Sequence, residues 1–263
     1  MAKRTYIIGD IHGCFFELVK LLADCFGHAE ANEVEFVSIG DVIDKGPASA
    51  DCVKQIDLME ASDFGSKAVD VKWTMVLGNH EEKFLRYVKH LDRRDADPSY
   101  RVPMEPKSEW TAELIAQARD SKSILRNGKL WHKIPGKEII VVHGGIEPLM
   151  KELPSQDIKK APKHAQNVLR TRYVNPDGRM IMIGKEDFKV DRWWADIYDG
   201  RFGFVVYGHQ PFREPYRTEH AMGIDTGCVH GRTLTAWCVE TDEFITVAAE
   251  RLYATQWKGP GRG

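Results

Sequence analysis

Residues 5–13 read Thr5-Tyr6-Ile7-Ile8-Gly9-Asp10-Ile11-His12-Gly13. A short apolar run stops at a glycine, and two residues able to ligate a metal follow. Such a run, ended by turn chemistry, predicts a strand buried on both faces. The pattern returns four times: Gly40-Asp41-Val42-Ile43-Asp44-Lys45-Gly46-Pro47 after the run at 34–39, Gly78-Asn79-His80-Glu81 after 72–77, Val142-His143-Gly144-Gly145 after 138–142, and Tyr207-Gly208-His209-Gln210 after 202–207. Between the first three runs, residues 15–26 place Phe15, Leu18, Val19, Leu22 and Phe26 at helical spacing. Residues 48–60 and 81–90 predict two more helices. The resulting β-α-β-α-β order implies an α/β core with parallel strands.

Further along, residues 92–110 are rich in Asp, Arg and Pro and predict an exposed loop, with Arg93-Arg94 on a solvated face. Residues 111–126 and 163–171 predict helices, and 151–162 a loop. The last third predicts mainly strands, at 179–183, 202–207, 222–224, 233–239 and 243–248. With no linker composition in sight, the expected organisation is a single domain over 1–257 with an inserted helical cap at about 81–131, and a flexible tail at 258–263.

Hydrophobic residues make up 43% of the 263 and charged residues 29%, as in a folded globular chain. The net charge of −2 supplies no basic field for nucleic acid or an anionic membrane. Five cysteines, an odd number with no C-x-x-C pair, argue against a disulfide scaffold or a zinc knuckle and fit reduced thiols in a cytoplasmic protein. The first apolar run is too short for a signal peptide, and no run reaches the roughly 18 residues that a membrane span needs.

In open α/β sheets, ligands collect at the carboxyl ends of the strands. Five strands that end alike would bring Asp10, His12, Asp41, Asn79, His143 and His209 to one rim. Two carboxylates, an amide and three imidazoles, with no thiolate, suit Mn²⁺ first, and Fe or Zn²⁺ after it. Six donors exceed one tetrahedral site. They suit two ions about 3.5–4 Å apart that share a bridging carboxylate, for which Asp41 is the natural choice. Each piece alone reads as a helix cap or a turn; the coincidence of five carries the argument.

The segments GDIHG at 9–13, GDVIDKG at 40–46, GNHE at 78–81 and HGG at 143–145 resemble, in family order and across most of the chain, the metallophosphoesterase (calcineurin-like) superfamily, and within it the phosphoprotein-phosphatase (PPP) family. The segments at 170–178, 224–228 and 231–236 resemble bacterial symmetrical bis(5′-nucleosyl)-tetraphosphatases and short relatives, including the phosphatase module of polynucleotide kinase-phosphatases. The resemblance implies a β-sandwich flanked by helices (α/β/β/α). It implies Asp10, His12 and Asp41 on a first divalent metal, and Asp41, Asn79, His143 and His209 on a second. It implies His80 as the catalytic histidine at the leaving group, Asp44 as the acid that keeps it charged, and Asp225 as support for the metal ligands. The chemistry implied is attack on phosphorus, in line, by a metal-bridging hydroxide.

The chain departs from the family at Lys45, where Arg is usual; a lysine neutralises phosphate without the bidentate grip. Arg170 or Arg172 could supply a second cation, and Arg192 and Arg201 are weaker candidates. Many larger tetraphosphatases lack the acid that Asp44 retains, which leaves a protein serine/threonine phosphatase as the alternative to a dinucleoside polyphosphate hydrolase. A nucleic-acid end comes third, together with a catalytically silent nucleotide-binding module. Cys14 lies beside the first motif but lacks the phosphate loop of cysteine phosphatases. Trp193-Trp194 reads as core, with base stacking as the alternative, and Tyr100 and Trp110 are candidates to line a groove.

Overall fold

A computed structural model of the chain describes residues 3–29, 31–61 and 69–255. The tail expected at 258–263 lies outside them. In chain order the elements are β1 (Lys3–Ile8), α1 (Phe15–His28), β2 (Glu33–Ser38), α2 (Ser49–Ala61), β3 (Asp70–Met75), α3 (Asn79–Ala96), α4 (Ala112–Arg119), α5 (Ile124–Asn127), β4 (Trp131–Lys133) and β5 (Ile139–Val142). A 3₁₀ helix (Lys163–Leu169) follows, then β6 (Tyr173–Val174), β7 (Arg192–Trp193), α6 (Trp194–Ile197), β8 (Phe204–Tyr207), β9 (Tyr216–Arg217), β10 (Ala221–Gly223), β11 (Thr233–Cys238) and β12 (Glu243–Ala248).

Two five-stranded mixed sheets result, ordered β12-β11-β1-β2-β3 and β4-β5-β8-β10-β9. Strands β1, β2 and β3 run parallel, as do β5, β8 and β10; β11 and β12 close the first sheet antiparallel. Side chains alternate between faces along a strand, so each strand serves two cores. Ile7, Val37, Val141, Val206, Met222 and Trp237 meet between the sheets. Tyr6, Ile8, Phe36, Trp73 and Leu234 face the helices on the outer side of the first sheet. Tyr207, Val205 and Ile140 face Trp193, Trp194 and Tyr198 on the outer side of the second. This is the expected sandwich, and it explains why the strands read as continuous apolar runs.

In α1 the buried stripe is Leu18, Leu21, Leu22 and Cys25, whereas Val19 is 40% exposed, so the helix is turned slightly from the expected face. Helix α3 runs six residues past the expected end at 90, into the supposed loop; Arg93 and Arg94 lie in its last turn, where cations complement the carbonyl end of the helix. The single helix expected over 111–126 is two. Thr111 caps α4, and Asp120 ends it; Ser123 then starts α5. Residues 163–171 contain a 3₁₀ helix and not an α-helix. No strand forms at 179–183, where Met180 makes only an isolated bridge to Val174, Met182 and Ile183 stay largely exposed, and of the run's apolar residues Ile181 packs on the core; a run that covers so little surface has little to hold it extended. The segment expected as a cap supplies α3, α4 and α5, whose Phe84, Val88, Leu114 and Leu125 share the core that covers the first sheet.

Candidate metal centre

The loops that follow β1, β2, β3, β5 and β8 leave the same edge of the sandwich. The loop after β1 is pinned to the loop after β2, because the Ile11 and His12 amides both donate to the Asp41 carbonyl (3.1 and 2.7 Å) and Gly13 N donates to Val42 O (2.8 Å). In the other sheet, Gly208 N donates to the His143 carbonyl (2.9 Å). His209 N reaches across to the Asp10 carboxylate at 3.2 and 3.3 Å. Five of the six non-glycine residues with positive φ among those described belong here: His12, Asp41, Asp44, Lys45 and His209, at 48–71°. Left-handed backbone costs an ordinary residue roughly 1 kcal/mol, and such strain gathers where a fold must aim side chains.

Two glycines matter for space. A Cβ at Gly78 would overlap the Asp41 carboxylate and backbone, and one at Gly208 would overlap the Asp10 carboxylate and Ile39.

All six expected ligands converge. Asp10, His12, Asp41 and His143 are buried. His12 Nδ1 donates to Ile43 O (3.0 Å) and His143 Nδ1 to Ile39 O (2.8 Å). With Nδ1 engaged by a backbone carbonyl, each ring turns Nε2 inward. His12 Nε2 faces Asp41 Oδ2 at 3.4 Å, and His143 Nε2 faces Asp41 Oδ1 at 3.3 Å and Asn79 Oδ1 at 3.1 Å. Two clusters of close ligand atoms form, His12-Asp41-His80 and Asp41-His143-His209, and both contain Asp41. The donor set therefore fits two divalent ions with Asp41 between them.

The charges agree. Burial, and then the neighbouring Asp225 and Asp41, push the Asp10 carboxyl well above its ordinary range. Burial also raises Asp225 and keeps His12 and His209 neutral, well below the usual imidazole range. Burial pushes Asp41 upward too, but His143 and His80 more than offset it and hold it low. Lys45 Nζ sits 2.7 Å from His12 Nε2, a cation already aimed at the anionic centre. A cavity of about 420 Å³ opens there, lined by Asp10, Lys45, Arg172, His209, Asp225 and His230 among others.

His80 opens α3. Its Nδ1 lies 2.7 Å from Asp44 Oδ2, and its Nε2 lies 3.8 Å from Asp41 Oδ2. The Asp44 side chain is wholly buried, and Trp110 Nε1 donates to its other oxygen at 2.7 Å. Asp225 accepts from Gly227 N (2.9 Å) and lines the same cavity as Asp10. Arg172 reaches that cavity and donates to His209 O (2.9 Å), whereas Arg170 is ion-paired with Glu82 of α3 at 2.7 Å. Arg201 is paired with Asp199, and Arg192 donates to nearby carbonyls. Cys14 is fully buried, out of reach of a substrate, and clusters with Glu17 and Cys228 behind the loop. Trp193 and Trp194 are core, and Tyr100 stacks on His90.

Two charged residues here were given no role in the sequence reading. Glu81, fully buried, accepts from the amides of Asp41 (2.8 Å), Gly78 (2.8 Å) and Ile43 (3.1 Å). Its signal was present, since a glutamate three residues after a helix N-cap commonly reaches back to the cap amide. Lys107, inside the supposed loop, is ion-paired with Asp44 Oδ2; nothing local marks it.

The calcineurin-like phosphoesterase family matches residues 3–240. The bis(5′-nucleosyl)-tetraphosphatase PrpE (asymmetrical) of Halalkalibacterium halodurans is 28% identical over 261 residues, covering 93% of this chain and 94% of that protein. The protein of the same name from Bacillus subtilis is 29% identical over 266 residues, covering 94% and 95%. Among solved structures, a protein provisionally named a diadenosine tetraphosphatase superposes with a TM-score of 0.64 at 24% identity, covering 97% of this chain and 95% of that one. A serine/threonine phosphatase from Saccharomyces cerevisiae superposes with a TM-score of 0.55 at 14% identity, covering 94% and 79%. The motif resemblance is to symmetrical tetraphosphatases, while these two relatives are named asymmetrical. The segments at 170–178, 224–228 and 231–236 that carry the symmetrical resemblance contain none of the six expected ligands.

Proposed function

The chain belongs to the calcineurin-like phosphoesterase family, a metal-dependent phosphoesterase, and we propose that its substrate is a dinucleoside polyphosphate of the diadenosine tetraphosphate type. The observation that carries the reading is the pair of imidazole nitrogens, His12 Nε2 and His143 Nε2, that face the two oxygens of one buried carboxylate at 3.4 and 3.3 Å. Asp10, His12 and Asp41 would hold one divalent ion, and Asp41, Asn79, His143 and His209 the other, with Mn²⁺ the expected metal. Such ions supply Lewis acidity at the phosphoryl oxygens and at the attacking water.

The residues of the chain do the rest. Lys45 and Arg172, on one wall of the cavity, neutralise phosphates beyond the scissile one. Asp44 holds the His80 ring so that Nε2 meets the departing oxygen and gives it a proton. Asp225, beside Asp10 in the cavity wall, supports the shape of the anionic side. Relatives named asymmetrical over more than nine-tenths of both chains favour unequal cleavage, to a nucleoside triphosphate and a monophosphate. The His80–Asp44 pair favours a second reading, a phosphomonoesterase of the protein serine/threonine phosphatase kind.

The test incubates the protein and its Asp41→Asn variant with Mn²⁺ and, separately, diadenosine tetraphosphate, p-nitrophenyl phosphate and a phosphoserine peptide. ATP with AMP is the expected product pair. ADP alone would assign symmetrical cleavage instead. Peptide turnover without tetraphosphate turnover would move the assignment to a protein phosphatase, and equal inactivity of both proteins would leave a silent module.

A further inference from the structure

Residues 97–111, which join α3 to α4, carry three prolines and reach Asp44 through Lys107 and Trp110. Within them Trp110 N donates to Lys107 O at 3.1 Å, a turn that sets the two side chains together, and the Lys107 ammonium lies 5.6 Å from the Trp110 ring centroid. Both side chains end on Asp44. Lys107 Nζ is ion-paired with Oδ2, and Trp110 Nε1 donates to Oδ1. The same Oδ2 accepts from His80 Nδ1, and Lys107 Nζ is 3.4 Å from that nitrogen. Asp44 N donates to Ser49 Oγ at 2.9 Å, which fixes the backbone end of the residue. A buried carboxylate with a single partner could rotate about its side-chain bonds and carry the imidazole with it. Here both of its oxygens are held from one loop, 63 and 66 residues away in sequence.

We propose that Lys107 is a positioning residue: with Trp110 it locks the Asp44 carboxylate between its ammonium and the His80 ring, so that His80 Nε2 points toward Asp41 and the departing oxygen. Lys107 lies on the Nδ1 side of His80, away from the metal ligands, and acts through Asp44. The inference rests on the reading of His80 as the proton donor to the leaving group.

The Mn²⁺-loaded protein is assayed with phenyl phosphate, 2,4-dinitrophenyl phosphate and diadenosine tetraphosphate. Lys107→Met is expected to lower kcat about ten-fold, the scale seen when a supporting partner of a site is lost, with KM changed less than about two-fold. The loss should be larger for phenyl phosphate, whose leaving group needs the proton, than for the dinitrophenyl ester. Lys107→Arg should restore most of the rate, and Trp110→Phe should lower kcat in the same way with KM held. In an Asp44→Asn background, Lys107→Met should change kcat by less than about two-fold, because its route is already cut.

A rise in KM at constant kcat would make Lys107 a substrate contact and overturn the proposal. So would an undiminished loss in the Asp44→Asn background, or no loss at all. Should Lys107→Met not fold, Lys107→Arg and Trp110→Phe carry the same comparison. If His80→Ala keeps the full rate, the reading of His80 fails; if His80→Ala is crippled and Lys107→Met is not, this inference alone fails.

Discussion

The Glu81 carboxylate lies 2.8 Å from the amide of Asp41, 40 residues earlier in the chain. The same group accepts from Gly78 and Ile43, so one buried side chain ties the turn after β2 to the start of α3. Burial, and then the nearby Asp41 charge, push its own carboxyl upward, partly offset by the amides it accepts from. Replacing it with glutamine turns one acceptor oxygen into a donor that faces another donor. Glu81→Gln should lose about 2–4 kcal/mol of stability and bind Mn²⁺ less tightly. Urea denaturation and calorimetric metal titration read both; an unchanged midpoint would refute the tie.

Asp41 is the shared side chain of both ligand clusters. Asp41→Asn should reduce metal affinity by more than the roughly 10–100-fold expected for a supporting partner, and abolish turnover. Chelation of the parent protein should abolish turnover as well, with recovery on adding Mn²⁺ and a rise in thermal midpoint with metal concentration. A variant that still binds two ions per chain would remove Asp41 from the bridge.

Glycine substitutions should separate by place. A Cβ on Gly208 has nowhere to go but into the Asp10 carboxylate and Ile39. Gly208→Ala should cost about 1–3 kcal/mol and lower metal affinity. Gly27 lies in α1, where a Cβ meets nothing within 4 Å, so Gly27→Ala should stabilise by about 0.5–1 kcal/mol with turnover unchanged. Equal effects from the two substitutions, read by denaturation, would contradict the packing described.

Glu35, far from the site and 5% exposed, is held by His132 Nε2 at 3.6 Å and Lys3 Nζ at 2.7 Å. His132 leads in lowering its carboxyl, burial opposes, and Lys3 adds to the lowering, to about 2 from an ordinary 4.5. The folded value lies below the unfolded one, so the unfolded chain takes up the proton first. The contribution is whole above pH 4.5 and is lost as pH falls towards 2. It amounts to at most about 2–3 kcal/mol. Glu35→Gln should be less stable than the parent at about pH 6, and the gap should narrow by about pH 3. A gap that does not depend on pH would exclude this linkage.

Arg170 and Arg172 are two residues apart and face different tasks. Arg170 is tied to Glu82 at 2.7 Å, whereas Arg172 lines the cavity with Lys45. Arg172→Ala should raise KM for diadenosine tetraphosphate about ten-fold or more, and Arg170→Ala less than about three-fold, since a half-exposed ion pair contributes little. Steady-state kinetics decide it, and the reverse order would exchange the roles.

By itself the sequence determined what is written in short windows. An apolar run that ends in glycine is a buried strand, and the polar residue after it stands at the strand's carboxyl end; five such windows made the candidate ligand set and an α/β core with parallel strands readable before any contact was known, while the two-sheet sandwich was implied by the family resemblance. Asp10, His12, Asp41, Asn79, His143 and His209 could be named because each sits within a few residues of its own strand. Only the tertiary structure decided the partners: Glu81 on Asp41, Lys107 and Trp110 on Asp44, Arg170 on Glu82, Arg172 on the His209 carbonyl. It also decided that α3 runs to Ala96 and that no strand forms at 179–183. The reason is physical. Periodicity records which side of a local element avoids water, whereas an ion pair across 63 residues is selected by the space left when the layers close, and no local pattern carries that information.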